Sequence, residues 1–79
     1  MATVTELSNL PHCRALFLDT ELPDIQYTKA IIEGEVFEAI KPTMTIKGQR
    51  VSYNTSVGIV ADKDKYPDSF FIGKQIIIA

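Results

Sequence analysis

Glycine and proline interrupt this chain so often that long helices have little room to form. Pro11, Pro23, Gly34, Pro42, Gly48, Gly58, Pro67 and Gly73 never leave more than eleven residues between them. Proline removes a backbone donor and fixes φ, and glycine costs about 1 kcal/mol inside a helix, so both mark turns. The stretches between them are rich in Val, Ile, Phe, Tyr and Thr, which favour strands. Five to seven short strands joined by turns predict a mainly β fold, a small single-domain barrel of the SH3-like or OB-like kind spanning residues 1–79.

Local signals assign the segments. Thr3 followed by Glu6 has capping-box spacing and predicts a one-turn helix over Thr3–Leu10, ended by Pro11. Arg14–Asp19 reads as a buried strand entering a turn over residues 19–24. Residues 25–40 admit two readings. Tyr27, Thr28, Ile31, Ile32, Val36 and Phe37 favour two strands around Glu33-Gly34-Glu35, whereas Ile25, Thr28, Ile32, Val36, Ala39 and Ile40 would line one face of a helix and make the class α+β. Thr43–Ile46 and Gln49–Tyr53 flank Lys47-Gly48 as a hairpin, and Val57–Ala61 is a further strand. After a charged loop over residues 62–69, Phe70–Ile72 and Gln75–Ile78 bracket Gly73-Lys74 and predict a second tight hairpin.

Composition narrows the function. A chain of 79 residues has one thin core, with about 60% of its surface buried on folding and little room for a deep pocket. Yet 46% of the residues are hydrophobic and mean hydropathy is +0.07, which points to apolar surface that meets a protein partner or a second copy. Eight Lys and Arg against ten Asp and Glu leave a net charge of −2, so a sequence-independent nucleic-acid role is disfavoured. A lone cysteine, Cys13, excludes an intrachain disulfide and fits a reducing compartment. No leader or membrane-spanning run is apparent, so a cytoplasmic location is expected, with a virion or exported assembly as the alternative. The Asn54-Thr55-Ser56 sequon is accordingly read as chance.

The chemistry-bearing residues make no catalytic set. His12 and Cys13 are adjacent, and neighbours on an extended chain face opposite ways, so a thiolate–imidazole pair is not expected. Glu33, Glu35 and Glu38 read as a solvated turn or strand edge rather than paired catalytic carboxylates. Asp62, Asp64 and Asp68 start like a calcium loop, but Tyr66 stands at a ligand position and Lys63 and Lys65 offset the charge. No metal or cofactor is expected.

Two functions compete. The favoured expectation is a non-enzymatic interaction or assembly module, a homo-oligomer or a small subunit of a virion or regulatory complex. Its expected interface is Phe70, Phe71, Ile72, Ile76, Ile77 and Ile78, a segment apolar on both faces. The alternative is a barrel that binds a ligand or single-stranded nucleic acid through Lys41, Lys47, Arg50 and Tyr53.

Overall fold

The computed structural model describes residues 2–52 and 54–79, with the backbone alone described at 43–46 and 49–52. In chain order the elements are β1 (Ala2–Asn9), β2 (Arg14–Leu18), β3 (Lys29–Ile32), β4 (Glu35–Ile40), β5 (Thr43–Ile46), β6 (Gln49–Ser52), β7 (Ser56–Val60), the one-turn helix α1 (Asp68–Phe71) and β8 (Gln75–Ile78). Six strands close an antiparallel barrel in the order β1-β2-β7-β4-β3-β8, and β5-β6 form a separate two-stranded sheet. The protein is therefore a small mainly β barrel with a single short helix.

Alternation builds the barrel. Along β2, Leu16 and Leu18 point inward and Phe17 outward; along β7, Val57 and Ile59 point in and Val60 out. Ala30 and Ile32 of β3, Phe37 and Ala39 of β4, Ile76 of β8 and Val4 of β1 complete the inner set, which forms one cluster with Leu22, Tyr27 and Phe71. Because the small barrel is filled by side chains, its interior holds a core rather than a ligand.

Residues 25–40 take the two-strand reading. Glu33 and Gly34 have φ of 53° and 77°, the two positive values that a type I′ turn requires, and Ile31 faces Val36 across the ladder. Lys47 and Gly48 repeat that turn, with φ of 51° and 78°, between β5 and β6. The helical alternative for 25–40 is thus replaced by a loop and a hairpin, and the one helix lies elsewhere.

Two local expectations are corrected. Thr3–Leu10 is not a helical turn; all of it but Leu10 belongs to β1: Ala2 and Val4 are buried, and pairing with both β2 and β8 satisfies backbone groups that a single capping box could not. The Thr3 N–H instead donates to Asp19 Oδ1 at 2.9 Å. Phe70–Ile72 is likewise not a strand. In an extended chain Phe70 and Phe71 would face opposite ways, whereas the helical turn gathers both rings around Phe37, with centroids 6.4 and 5.5 Å away. Gly73, at φ 81°, then turns the chain into β8.

The β5–β6 hairpin is the connection between β4 and β7, which are themselves paired neighbours. Neither arm strand packs appreciably on a barrel strand among the described residues, and the molecule is elongated, with extents of 39 × 27 × 20 Å. At the arm's base Lys41 Nζ donates to Asp24 Oδ1 at 2.7 Å and to the Ile25 carbonyl, while the Leu22 N–H donates to the Asn54 carbonyl.

Candidate functional site

With the inner faces of the strands consumed by the core, chemistry or binding must use the outside, the ends or the arm. Register locates a continuous apolar row on the outside. Ile77 of β8 is opposite Ile31 of β3, and Ile31 is opposite Val36 of β4, so three outward β-branched side chains lie side by side across three strands. Val36 is 59% exposed, Ile77 48%, and Ile31 half-buried between them. The next row is polar: Lys29 opposite Glu38.

At one end of this strip sits the Glu33-Gly34 turn. Beside it a recess of about 540 Å³ is bordered by Ile31, Ile77, Glu33 and Lys74, with Lys74 Nζ 3.9 Å from Glu33 Oε1. A second recess, of about 470 Å³ and more apolar, lies toward the other end between the 20–23 loop and β8. Ile77 borders both.

The expected interface residues separate accordingly. Phe71 and Ile76 belong to the core, the latter only 2% exposed. Ile77 and Ile72 are exposed, and Phe70 and Ile78 are partly buried against the core. β8 pairs on both sides, with β1 and β3, so it offers outward side chains rather than a free strand edge. Val36 and Ile31 are not among the expected residues, although a two-residue Glu33-Gly34 turn fixes their pairing and so makes that pair, but not its alignment with Ile77, readable from sequence.

The alternative binding set disperses. Lys41 is engaged at the arm base by Asp24, Lys47 occupies the exposed arm turn, and Tyr53 and the Arg50 side chain lie outside the described residues.

Among the remaining polar groups, Arg14 is the most constrained. It is 1% exposed; Nε donates to Asn9 Oδ1 at 2.9 Å, Nη1 to the Tyr66 carbonyl and Nη2 to Asp68 Oδ1, and its guanidinium lies 4.9 Å from the Phe71 ring centroid. This cation ties β1, β2, the 62–67 loop and α1 together. It escapes sequence reading because Asp68 is 54 positions away.

The aspartate loop is spent locally: Asp62 Oδ1 accepts from the Asp64 N–H and Asp68 binds Arg14. No group of three or more His, Cys, Asp or Glu suited to a metal occurs among the described residues. Cys13 lies against Gly58, where an added Cβ would sit 3.5 Å from Sγ, and His12 and Cys13 border a recess of only about 120 Å³. Buried Tyr27 carries a hydroxyl with no hydrogen-bond partner among the described residues, and burial raises its pKa. No helix among the described residues is long and apolar enough to cross a membrane. Comparison with protein-family models, curated proteins and solved structures found no match.

Proposed function

We propose that this chain is a non-enzymatic interaction or assembly module, a homo-oligomer or a small subunit of a larger complex. The observation that carries this reading is the in-register strip Val36–Ile31–Ile77 on the outside of a barrel whose inside is already full. In an isolated monomer such a row gains only its cross-strand contacts, a few tenths to about 1 kcal/mol per pair, and leaves most of Val36 and about half of Ile77 in water. Covered by a partner, each large side chain gains about 1.5 to 3 kcal/mol on full burial relative to full exposure, scaled here by the fraction still open to water.

An enzymatic role finds little support. The interior is core, Asp68 is committed to Arg14, and the glutamates stand on a solvated turn and strand. Binding of single-stranded nucleic acid is also the weaker reading, because Lys41 is already paired and the body outside the arm is acidic.

Affinity purification of the tagged full chain from its native host tests the reading. The expected result is a protein recovered in stoichiometric amount, either untagged copies of this chain or a distinct subunit, lost when Val36 and Ile77 are changed to lysine. Recovery of nucleic acid or a small ligand without protein would overturn it.

A further inference from the structure

Building on the assembly reading and naming its partner, we propose that this chain associates head to tail with copies of itself, the β5–β6 arm of one copy docking on the Val36–Ile31–Ile77 strip of the next. The arm's composition fits that role. Its register sets Met44 opposite Val51 and Ile46 opposite Gln49, alternating with Thr43 opposite Ser52 and Thr45 opposite Arg50. One face of the ladder is therefore mostly apolar in sequence and the other polar. A lone two-stranded hairpin is marginal in water, so an arm whose strands pack on no barrel strand among the described residues gains from being covered.

Charge selects the occupant. Residues 43–52 contain Lys47 and Arg50 and no acid, a charge of +2, while Lys41 at the base is already paired with Asp24; the rest of the chain holds six cations against ten carboxylates, a charge of −4. Arm against arm would bring two cationic elements together, whereas arm against body brings opposite charges together. Around the strip, Glu38 is opposite Lys29 and Glu33 lies 3.9 Å from Lys74, while Glu35 is opposite Ile32 and has no cation across from it, leaving one net negative charge among these five. The two turns share the same backbone conformation with opposite side chains: Glu33 on the body and Lys47 on the arm both hold positive φ, a conformation that side-chain-bearing residues adopt at a cost.

Topology makes the contact intermolecular. β4 begins at the Glu33-Gly34 turn and ends at Ile40, where the arm departs, so the two lie at opposite ends of a strand about 16 Å long. An arm that leaves from the end of β4 opposite the Glu33-Gly34 turn is placed to meet the strip of a neighbouring copy. Such a contact is heterologous, and repetition of it yields a ring or an open filament.

Light scattering coupled to size exclusion tests the proposal with three full-length proteins: wild type, Lys47→Glu/Arg50→Glu with the arm reversed, and Val36→Lys with the strip broken. Wild type is expected to exceed monomer mass increasingly with concentration, and less so in high salt. Each variant alone is expected to be folded by circular dichroism and monomeric. Mixed in equal amounts, the two variants retain one good arm and one good strip between them, and are expected to give a dimer that grows no further. A wild type that stays monomeric up to about 1 mM, where a contact with a Kd of that size would be half occupied, overturns the proposal. So does association that survives Val36→Lys, or variants that fail to complement. A distinct subunit recovered from the host beside a monomeric wild type would overturn self-association while leaving the assembly reading in place.

Discussion

Arg14→Ala is expected to be among the most damaging single truncations of a polar side chain in this protein, and the structure sets its size. The change removes two buried methylenes at about 0.8 kcal/mol each, a cation–π contact with Phe71 worth about 1 kcal/mol, and three hydrogen bonds. Those bonds contribute only about 1 kcal/mol net, because Asn9 is exposed and the Asp68 side chain is 59% exposed, so water can take the place of the guanidinium at both. The total is about 3 to 4 kcal/mol, against an expected stability of about 4 to 12 kcal/mol for a chain of this length. In thermal unfolding followed by circular dichroism that amounts to a fall in Tm of about 15 to 25 °C. Two companions separate the contributions. Arg14→Met keeps the aliphatic stem and should cost about half as much, and Asp68→Asn, which removes only a water-accessible charge, about 1 kcal/mol. If Asp68→Asn cost as much as Arg14→Ala, the ion pair and not the packed guanidinium would hold the segment. A loss below about 1 kcal/mol for Arg14→Ala would refute the role assigned to the residue altogether.

Tyr27→Phe should stabilise the protein by about 1 kcal/mol at neutral pH, measured by urea unfolding, because the buried hydroxyl forgoes its water without gaining a partner among the described residues. Burial raises the folded-state pKa of Tyr27 above its unfolded value near 10, so the unfolded chain loses this proton first and stability falls as pH rises from about 10 toward the folded value. The phenylalanine variant should lose that part of the alkaline decline, and an unchanged profile would show that Tyr27 ionises freely in the fold. The two neighbours on β8 should respond oppositely to lysine: Ile76→Lys unfolds the protein at 25 °C, while Ile77→Lys stays within about 1 kcal/mol of wild type by thermal melting. Equal damage from both would contradict the placement of Ile77 on the outside.

What the sequence revealed depended on whether the deciding interaction was local. The Glu33-Gly34 and Lys47-Gly48 turns are two-residue events, and glycine at the second position announces the positive φ that each requires, so both hairpins were legible. The capping-box spacing from Thr3 to Glu6 is also local, but it was overruled by pairing with β2 and β8, the latter more than seventy positions away. Phe70-Phe71-Ile72 has the composition of a strand; its helical turn follows from packing on the ring of Phe37, which no window around residue 70 contains. In the candidate site the apolar excess of β8 was readable and its division was not, because Ile76 and Ile77 are chemically alike and only the register against Ala2 and Ile31 tells the core residue from the surface one.

The position of the arm between two strands that already pair has an entropic consequence. β4 and β7 need no more than a short turn to join them, yet the chain spends residues 41–55 on the connection. Closing about fifteen residues in place of about four costs roughly 1 kcal/mol in loop entropy, to which the ordering of the arm itself adds. Because the excursion leaves and returns at neighbouring strand ends, a version with residues 42–54 replaced by a tight turn would keep every barrel pairing and fold with a smaller loop-closure cost. The six barrel strands thus pair without the hairpin, and its length can change at the cost of the bond from the Leu22 N–H to the Asn54 carbonyl rather than of the barrel ladder.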